Sequence, residues 1–153
     1  MDGMTKNTPP LVPVMNTEEV NRLMGEVYPQ LNSEYADYVA TDVFPGGCTV
    51  RLNANERHLR PGGTVSGPAM FSLADVAAYV ATLARIGKQA LTVTTHCSID
   101  FMRKPAAGVD LLAEARVLKL GRTLSVTDVL LFSEGQAKPL AHASLTYSIP
   151  PGR

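Results

Sequence analysis

A glycine- and proline-rich loop, Pro61-Gly62-Gly63-Thr64-Val65-Ser66-Gly67-Pro68, runs directly into an apolar segment that carries a single carboxylate, Asp75. From Pro68 to Ile86 the polar residues Ser72, Asp75, Tyr79 and Thr82 recur three and four apart, the spacing of one helix face. The other faces are hydrophobic, and a helix apolar on nearly every side belongs in a core. An acid on such a helix is paired, neutralised or at work. No Lys or Arg lies within four residues of Asp75, so the ion pair its own helix could supply is missing. The structural alternative is a buried Asp satisfied by a hydroxyl or a cation reaching in from a neighbouring element.

Gly62 and Gly67 have the spacing of a phosphate-cradling loop, but Pro68 stands where that loop needs Lys, which excludes the reading. The start of the helix remains. Its N-terminus is a fixed partial positive charge, and the Gly67 N–H is placed to point at an oxygen that gains negative charge. Pro68 has no N–H to leave unsatisfied and its φ suits a first helical turn. An ordinary cap using the Ser66 hydroxyl is the competing reading. A carboxylate near such an N–H, with no Ser-His pair beside it, suits hydrolysis of an ester with a good leaving group. Thioesters qualify, because a thiol of pKa about 8.5 departs as thiolate with little acid assistance.

The elements that hold these residues follow from the rest of the chain. Its 153 residues suit one domain, and fourteen basic against fourteen acidic residues argue against a nucleic-acid partner. Cys48 and Cys97 form no Cys-x-x-Cys pair and read as packing residues of a reduced, cytoplasmic protein. His58, His96 and His142 lack metal-ligand spacing, so no metal and no cofactor are expected. Ser72, Asp75, Thr82 and Arg85 interrupt the apolar segment, which argues against a membrane span.

Residues 1–16 contain Thr-Pro-Pro and Val-Pro-Val and are expected to be a flexible leader, leaving 17–153 as a single domain. Thr17 is the expected N-cap of a short amphipathic helix running to about Leu31, with Pro29 bending or ending it. Tyr38 to Asn53 mixes β-formers with a break at Pro45-Gly46-Gly47 and reads as a strand or a hairpin. After Gly87 the period changes: Leu91, Val93, Thr95, Cys97, Ile99 and Phe101 alternate with polar residues and predict a strand with that set buried. Turn signals separate three further strands, Leu111 to Leu118, Thr123 to Phe132 and Leu140 to Ile149. The pattern predicts four strands in a meander after the helix and an α+β domain in which an antiparallel sheet curls around the long helix, with a second copy covering the open side and pairing sheet edges.

His58-Leu59-Arg60-Pro61-Gly62-Gly63-Thr64-Val65-Ser66-Gly67-Pro68, followed by Phe71-Ser72-Leu73-Ala74-Asp75, resembles the hotdog-fold acyl-CoA thioesterases of the phenylacetate-pathway, PaaI-like type. Their pattern is His-x-Asn-x-x-Gly-x-x-His-Gly-Gly, with an Asp nine residues after the second His. His58, Gly63, Gly67 and Asp75 fall in register, and the resemblance extends from about Tyr38 to Ile149. Three positions depart: Arg60 stands for the Asn, Ser66 for the second His and Pro68 for the second Gly.

The resemblance implies a hotdog fold, an antiparallel sheet wrapped around one central helix, and a homodimer that pairs again into a homotetramer. It implies acyl-CoA hydrolysis with Asp75 as general base or nucleophile, acting across a dimer interface, while the Gly67 N–H polarises the carbonyl. His58, Arg60, Ser66, Tyr79 and Thr94 are its substrate-side candidates, and Arg103, Lys104, Arg122 and Thr123 the candidates for the coenzyme A phosphates. Arg60 either pairs with Asp75 and blunts it or binds a carboxylate on the substrate. Two other readings stay open: a hotdog protein that binds acyl-CoA without turnover, and a hydratase or dehydratase depending on His58 or His96.

Overall fold

The computed structural model describes residues 11–152. The leader expected over 1–16 lies mostly outside these residues. Its last six residues are held against the domain: Val14 N–H donates to Ala84 O (2.7 Å) and Gly46 N–H to Leu11 O (2.9 Å), while Leu11 and Met15 pack on the core. The first helix, α1 (Thr17–Val27), is capped by Asn16 rather than Thr17. The Asn16 side chain accepts from Glu19 N–H at 2.8 Å and the Glu19 carboxylate accepts from Asn16 N–H at 2.9 Å, a reciprocal capping box. The helix stops at Val27, short of the expected Leu31, because Pro29 opens a separate 3-10 turn (Pro29–Asn32).

Six strands form one antiparallel sheet: β1 (Tyr38–Phe44), β2 (Gly47–Leu52), β3 (Val93–Phe101), β4 (Leu111–Leu120), β5 (Leu124–Ser133) and β6 (Ala141–Ser148). Their order is β1-β2-β4-β5-β6-β3. The meander therefore holds for β4 to β6 alone. β2 already pairs with β4, so β3, which follows the central helix, is carried to the far edge beside β6.

The long helix α2 (Gly67–Ile86) fills the concave face of this sheet, the hotdog arrangement. Ala74, Ala77, Ala78, Ala81 and Ala84 on α2 are fully buried, as are Ala113, Ala115, Ala141 and Ala143 on the inward side of β4 and β6. Small residues on both surfaces let helix and sheet backbones approach closely. By length and hydropathy α2 could cross a membrane, but 78% of that stretch is buried inside the fold, which makes it the core helix. Its far end is fastened by polar contacts: Thr82 Oγ1 meets Ser125 Oγ at 2.9 Å, and the buried Arg85 guanidinium donates to Ala81 O, Gly47 O and Phe44 O. Cys48 is fully buried, which pushes its thiol up to about 12.

The two sheet edges differ. At β1, Asn21 from α1 donates to Ala40 O and accepts from Ala40 N–H, both at 2.9 Å, so that edge is occupied. Along β3, Val93 is 56% and Phe101 51% exposed, flanking Leu91 is 81% exposed, and Thr95, His96, Ser98 and Asp100 are exposed between them, which leaves this edge open to solvent with apolar residues at both ends.

Candidate functional site

The loop before α2 is closed by its own backbone. Arg60 N–H donates to Thr64 O and Gly63 N–H to Arg60 O, each at 2.9 Å, with Gly62 (φ 103°) and Gly63 (φ 85°) in the left-handed region that other residues avoid. Ser66 N–H donates to His58 O at 2.8 Å, and Ser66 Oγ accepts from Ala69 N–H at 3.2 Å, so the serine is the helix cap. That leaves the Gly67 N–H with no acceptor among the described residues. It lies at an open apolar depression of about 450 Å³ lined by Gly67, Pro68, Phe71, Ile99 and Phe101.

Asp75 lines a different cavity, of about 360 Å³, reached by α1 through Val27, by Tyr28 just after it, and by α2 through Ser72, Asp75, Val76 and Tyr79. The α2 residues keep the helical spacing read from the sequence. Asp75 is half-buried, and its Oδ1 accepts from Thr94 Oγ1 at 2.7 Å and from the Tyr147 hydroxyl at 2.6 Å. Its Oδ2 accepts no hydrogen bond among the described residues, and Asp75 makes no ion pair among them. Burial, and then the adjacent Asp75 charge, push the Tyr147 phenol far above its ordinary range, so it is a donor at all relevant pH. Tyr79 donates its hydroxyl to Ala90 O at 2.9 Å and stacks beside Tyr147, with ring centroids 5.8 Å apart.

Within one chain, Gly67 and Asp75 do not meet at one substrate atom. Asp75 follows Gly67 by two helical turns, a rise of about 12 Å at 1.5 Å per residue, and the two line separate cavities. Arg60 is exposed and does not line the Asp75 cavity, so within one chain the Arg60–Asp75 pair, one of the two readings of this residue, is not formed. His58 is buried against the fold: Nδ1 accepts from Asn55 N–H at 3.1 Å and Nε2 lies 3.5 Å from Asp37 Oδ2. The phosphate candidates also split. Arg103 and Lys104 follow the Phe101 end of β3, which pairs with Ala141, whereas Arg122 and Thr123 precede Leu124, which pairs with Ser148 at the other end of β6. Arg103 donates to Pro139 O at 2.9 Å, and Arg122 and Thr123 line a surface cleft with Pro150, Pro151 and Gly152.

Tyr147 was not among the sequence candidates. Its signal was present: it falls on the inward phase of β6 with Ala141, Ala143 and Leu145, where a hydroxyl needs a partner. Thr94 reaches Asp75 because β3 has a bulge between Thr94 and His96, which reverses the alternation. Thr92 is buried and Val93 exposed, the opposite of the phase predicted for this stretch, while Cys97 and Ile99 keep their inward side. Burial and the Asp75 charge raise the Cys97 thiol.

A family model described as "Thioesterase superfamily" matches residues 62–140, more than half of the chain. A crystal structure from Silicibacter sp. TM1040, provisionally assigned as a thioesterase, is similar at 52% identity, with a TM-score of 0.84 over 92% of this chain and 96% of that one. The phenylacetic acid degradation protein PaaI from Thermus thermophilus, in a point-mutant form, is similar at 28% identity and a TM-score of 0.64, covering 74% of this chain and 93% of that one. A Saccharolobus solfataricus protein provisionally named an esterase is 28% identical over 91% of this chain and 89% of its own length. With the α2-in-sheet architecture and the loop leading into Gly67, these matches establish that the chain belongs to the thioesterase superfamily and is of the PaaI-like hotdog type.

Proposed function

We propose that this protein hydrolyses an acyl-CoA thioester to the free acid and coenzyme A, with Asp75 as the base. The observation that carries the reading is the Asp75 carboxylate itself: Oδ1 is saturated by two hydroxyls, while Oδ2 has no partner among the described residues and stands beside a cavity. A water held by Oδ2 gives up a proton to it as the water oxygen bonds to the thioester carbon. The carbonyl π pair moves onto oxygen, and the Gly67 N–H receives that charge. Collapse of the tetrahedral intermediate breaks the C–S bond; the thiolate leaves and takes up a proton from Asp75 or from solvent. Attack by Asp75 itself, through a mixed anhydride, is the alternative course on the same groups.

The roughly 12 Å between Gly67 and Asp75 along α2 supports a site shared by two copies, the Asp75 of one subunit facing the Gly67 N–H of the other. The open edge of β3, with exposed apolar residues at both ends, supports edge pairing in a homodimer, and a dimer of dimers is the proposed assembly. Arg103, Lys104, Arg122 and Thr123 are proposed to hold the coenzyme A phosphates. Because the two pairs stand at opposite ends of the sheet, they serve one ligand only if contributed by different subunits.

The test is a thiol-release assay with short, long and aryl CoA esters on wild type, Asp75→Asn and Arg60→Asn. Release by wild type that Asp75→Asn abolishes supports the reading. Saturable CoA-ester binding without release overturns it in favour of a non-catalytic binder.

A further inference from the structure

We infer that Tyr147 is the positioning residue that fixes which oxygen of Asp75 does the work. Its hydroxyl lies 2.6 Å from Asp75 Oδ1 and 2.9 Å from the Asp75 main-chain oxygen. A phenol has one hydrogen. With the carboxylate ionised, that hydrogen goes to the charged oxygen, because bonds to an ionised acceptor are about twice as strong as neutral ones. Once the carboxylate has accepted a proton, the main-chain oxygen offers the same hydrogen a neutral acceptor without any movement of the ring. Tyr147 therefore donates to Asp75 in both charge states, through Oδ1 in one and the main-chain oxygen in the other, and Oδ2 is the oxygen left to take the proton from water.

The ring itself is fixed. Tyr147 is 3% exposed, packs beside Tyr79, and pairs with Thr94 across the β3–β6 ladder. Among the described residues, the polar groups around Asp75 are Thr94 and Cys97 from β3, Tyr147 from β6, Ser72 and Tyr79 on its own helix, and Tyr28 and Thr92, which line the same cavity. None is a cation, so the two hydroxyls carry the stabilisation that an ion pair would supply elsewhere. A purely structural role is the competing account: the hydroxyl would then only satisfy the second lone pair of a helix carbonyl.

This inference rests on the hydrolase reading for its kinetic arm alone. The full-length protein is labelled with 13C at the aspartate carboxyls, and the Asp75 resonance is followed against pH in wild type and Tyr147→Phe, alongside thiol release. Expected is an Asp75 midpoint at higher pH in Tyr147→Phe, with kcat reduced by about ten- to a hundredfold, as for loss of one hydrogen bond to a charged group, and KM nearly unchanged. Replacing Tyr147 by 3,5-difluorotyrosine keeps the ring and strengthens the donor, so the midpoint moves to lower pH instead. This second protein decides the matter if Tyr147→Phe does not fold. A midpoint unmoved by either change, or a rise in KM alone, overturns the assignment. Absence of thiol release from wild type with the titration shifts intact fails the hydrolase reading and leaves the Tyr147–Asp75 linkage standing.

Discussion

Thr94 and Tyr147 occupy the same rung of the β3–β6 ladder, and both hydroxyls end on one oxygen of Asp75, at 2.7 and 2.6 Å. Two donors from two strands thus orient a carboxylate carried by a helix. Each hydrogen bond to a charged group is worth about 1.5–3 kcal/mol. Thr94→Val, which keeps the shape and loses the donor, is expected to lower thiol release by about tenfold or more while the thermal midpoint moves by only a few degrees. A variant with wild-type turnover would show that Tyr147 alone suffices.

A site shared between subunits makes a prediction that a site within one chain does not. In a mixed dimer of Asp75→Asn and Gly67→Pro subunits, one site collects both defects and the other collects neither. Each parent is expected to be inactive, and an equimolar scrambled mixture is expected to recover about a quarter of wild-type activity, because half of the dimers are mixed and each holds one intact site. No recovery on verified subunit exchange would contradict the shared site.

The acid stability of the fold is expected to pass through Asp37. Burial alone would raise its carboxyl, but the 2.5 Å bond from Arg57, the charges of His58 and Arg57, and Asn55 outweigh burial and hold it below its ordinary value of 3.8. A group lowered in the folded state contributes stability above its unfolded value and loses it as pH falls through the folded one. Urea midpoints of wild type and Asp37→Asn should therefore differ most at neutral pH and converge below about pH 3.8. A gap that stays constant from neutral pH down through that value would remove Asp37 from that role.

Two glycines are expected to respond oppositely to alanine. A Cβ at Gly47 would stand 2.2 Å from Ala115 O and 2.8 Å from the Phe44 ring, and a strand carbonyl cannot yield that space. Gly47→Ala should cost several kcal/mol or prevent folding. Gly25 lies in α1 with nothing within 4 Å of its would-be Cβ, so Gly25→Ala should add about 0.5–1 kcal/mol. Chemical denaturation of the two variants measures both, and a stable Gly47→Ala would contradict the close approach of β2 and β4.

What was legible in the sequence was whatever depends on local pattern. The apolar helix with its polar stripe, the loop that caps it and the extended character of Tyr38 to Asn53 follow from spacing and composition, while the pairing that makes this last segment a hairpin rather than one strand is seen only in the fold. Strand order was not legible, because a strand's partner is a long-range choice: β3 pairs with β6 rather than β4. Nor was the bulge at Thr94, where one extra residue reverses the inward phase and brings a threonine onto Asp75. Asn16 displaced Thr17 as cap because its carboxamide completes a capping box with Glu19. The inward phase of Tyr147 is legible, but not its partner, which lies 72 residues away in sequence.

The measurement closest to the centre of this account is thiol release from a panel of CoA esters by wild type and by Asp75→Asn, each shown folded by its melting curve. Removing a general base is expected to cost about 10²–10⁴ in rate, with the fold and CoA-ester binding retained. An Asp75→Asn protein that releases thiol at the wild-type rate would contradict the assignment of Asp75 as the catalytic base.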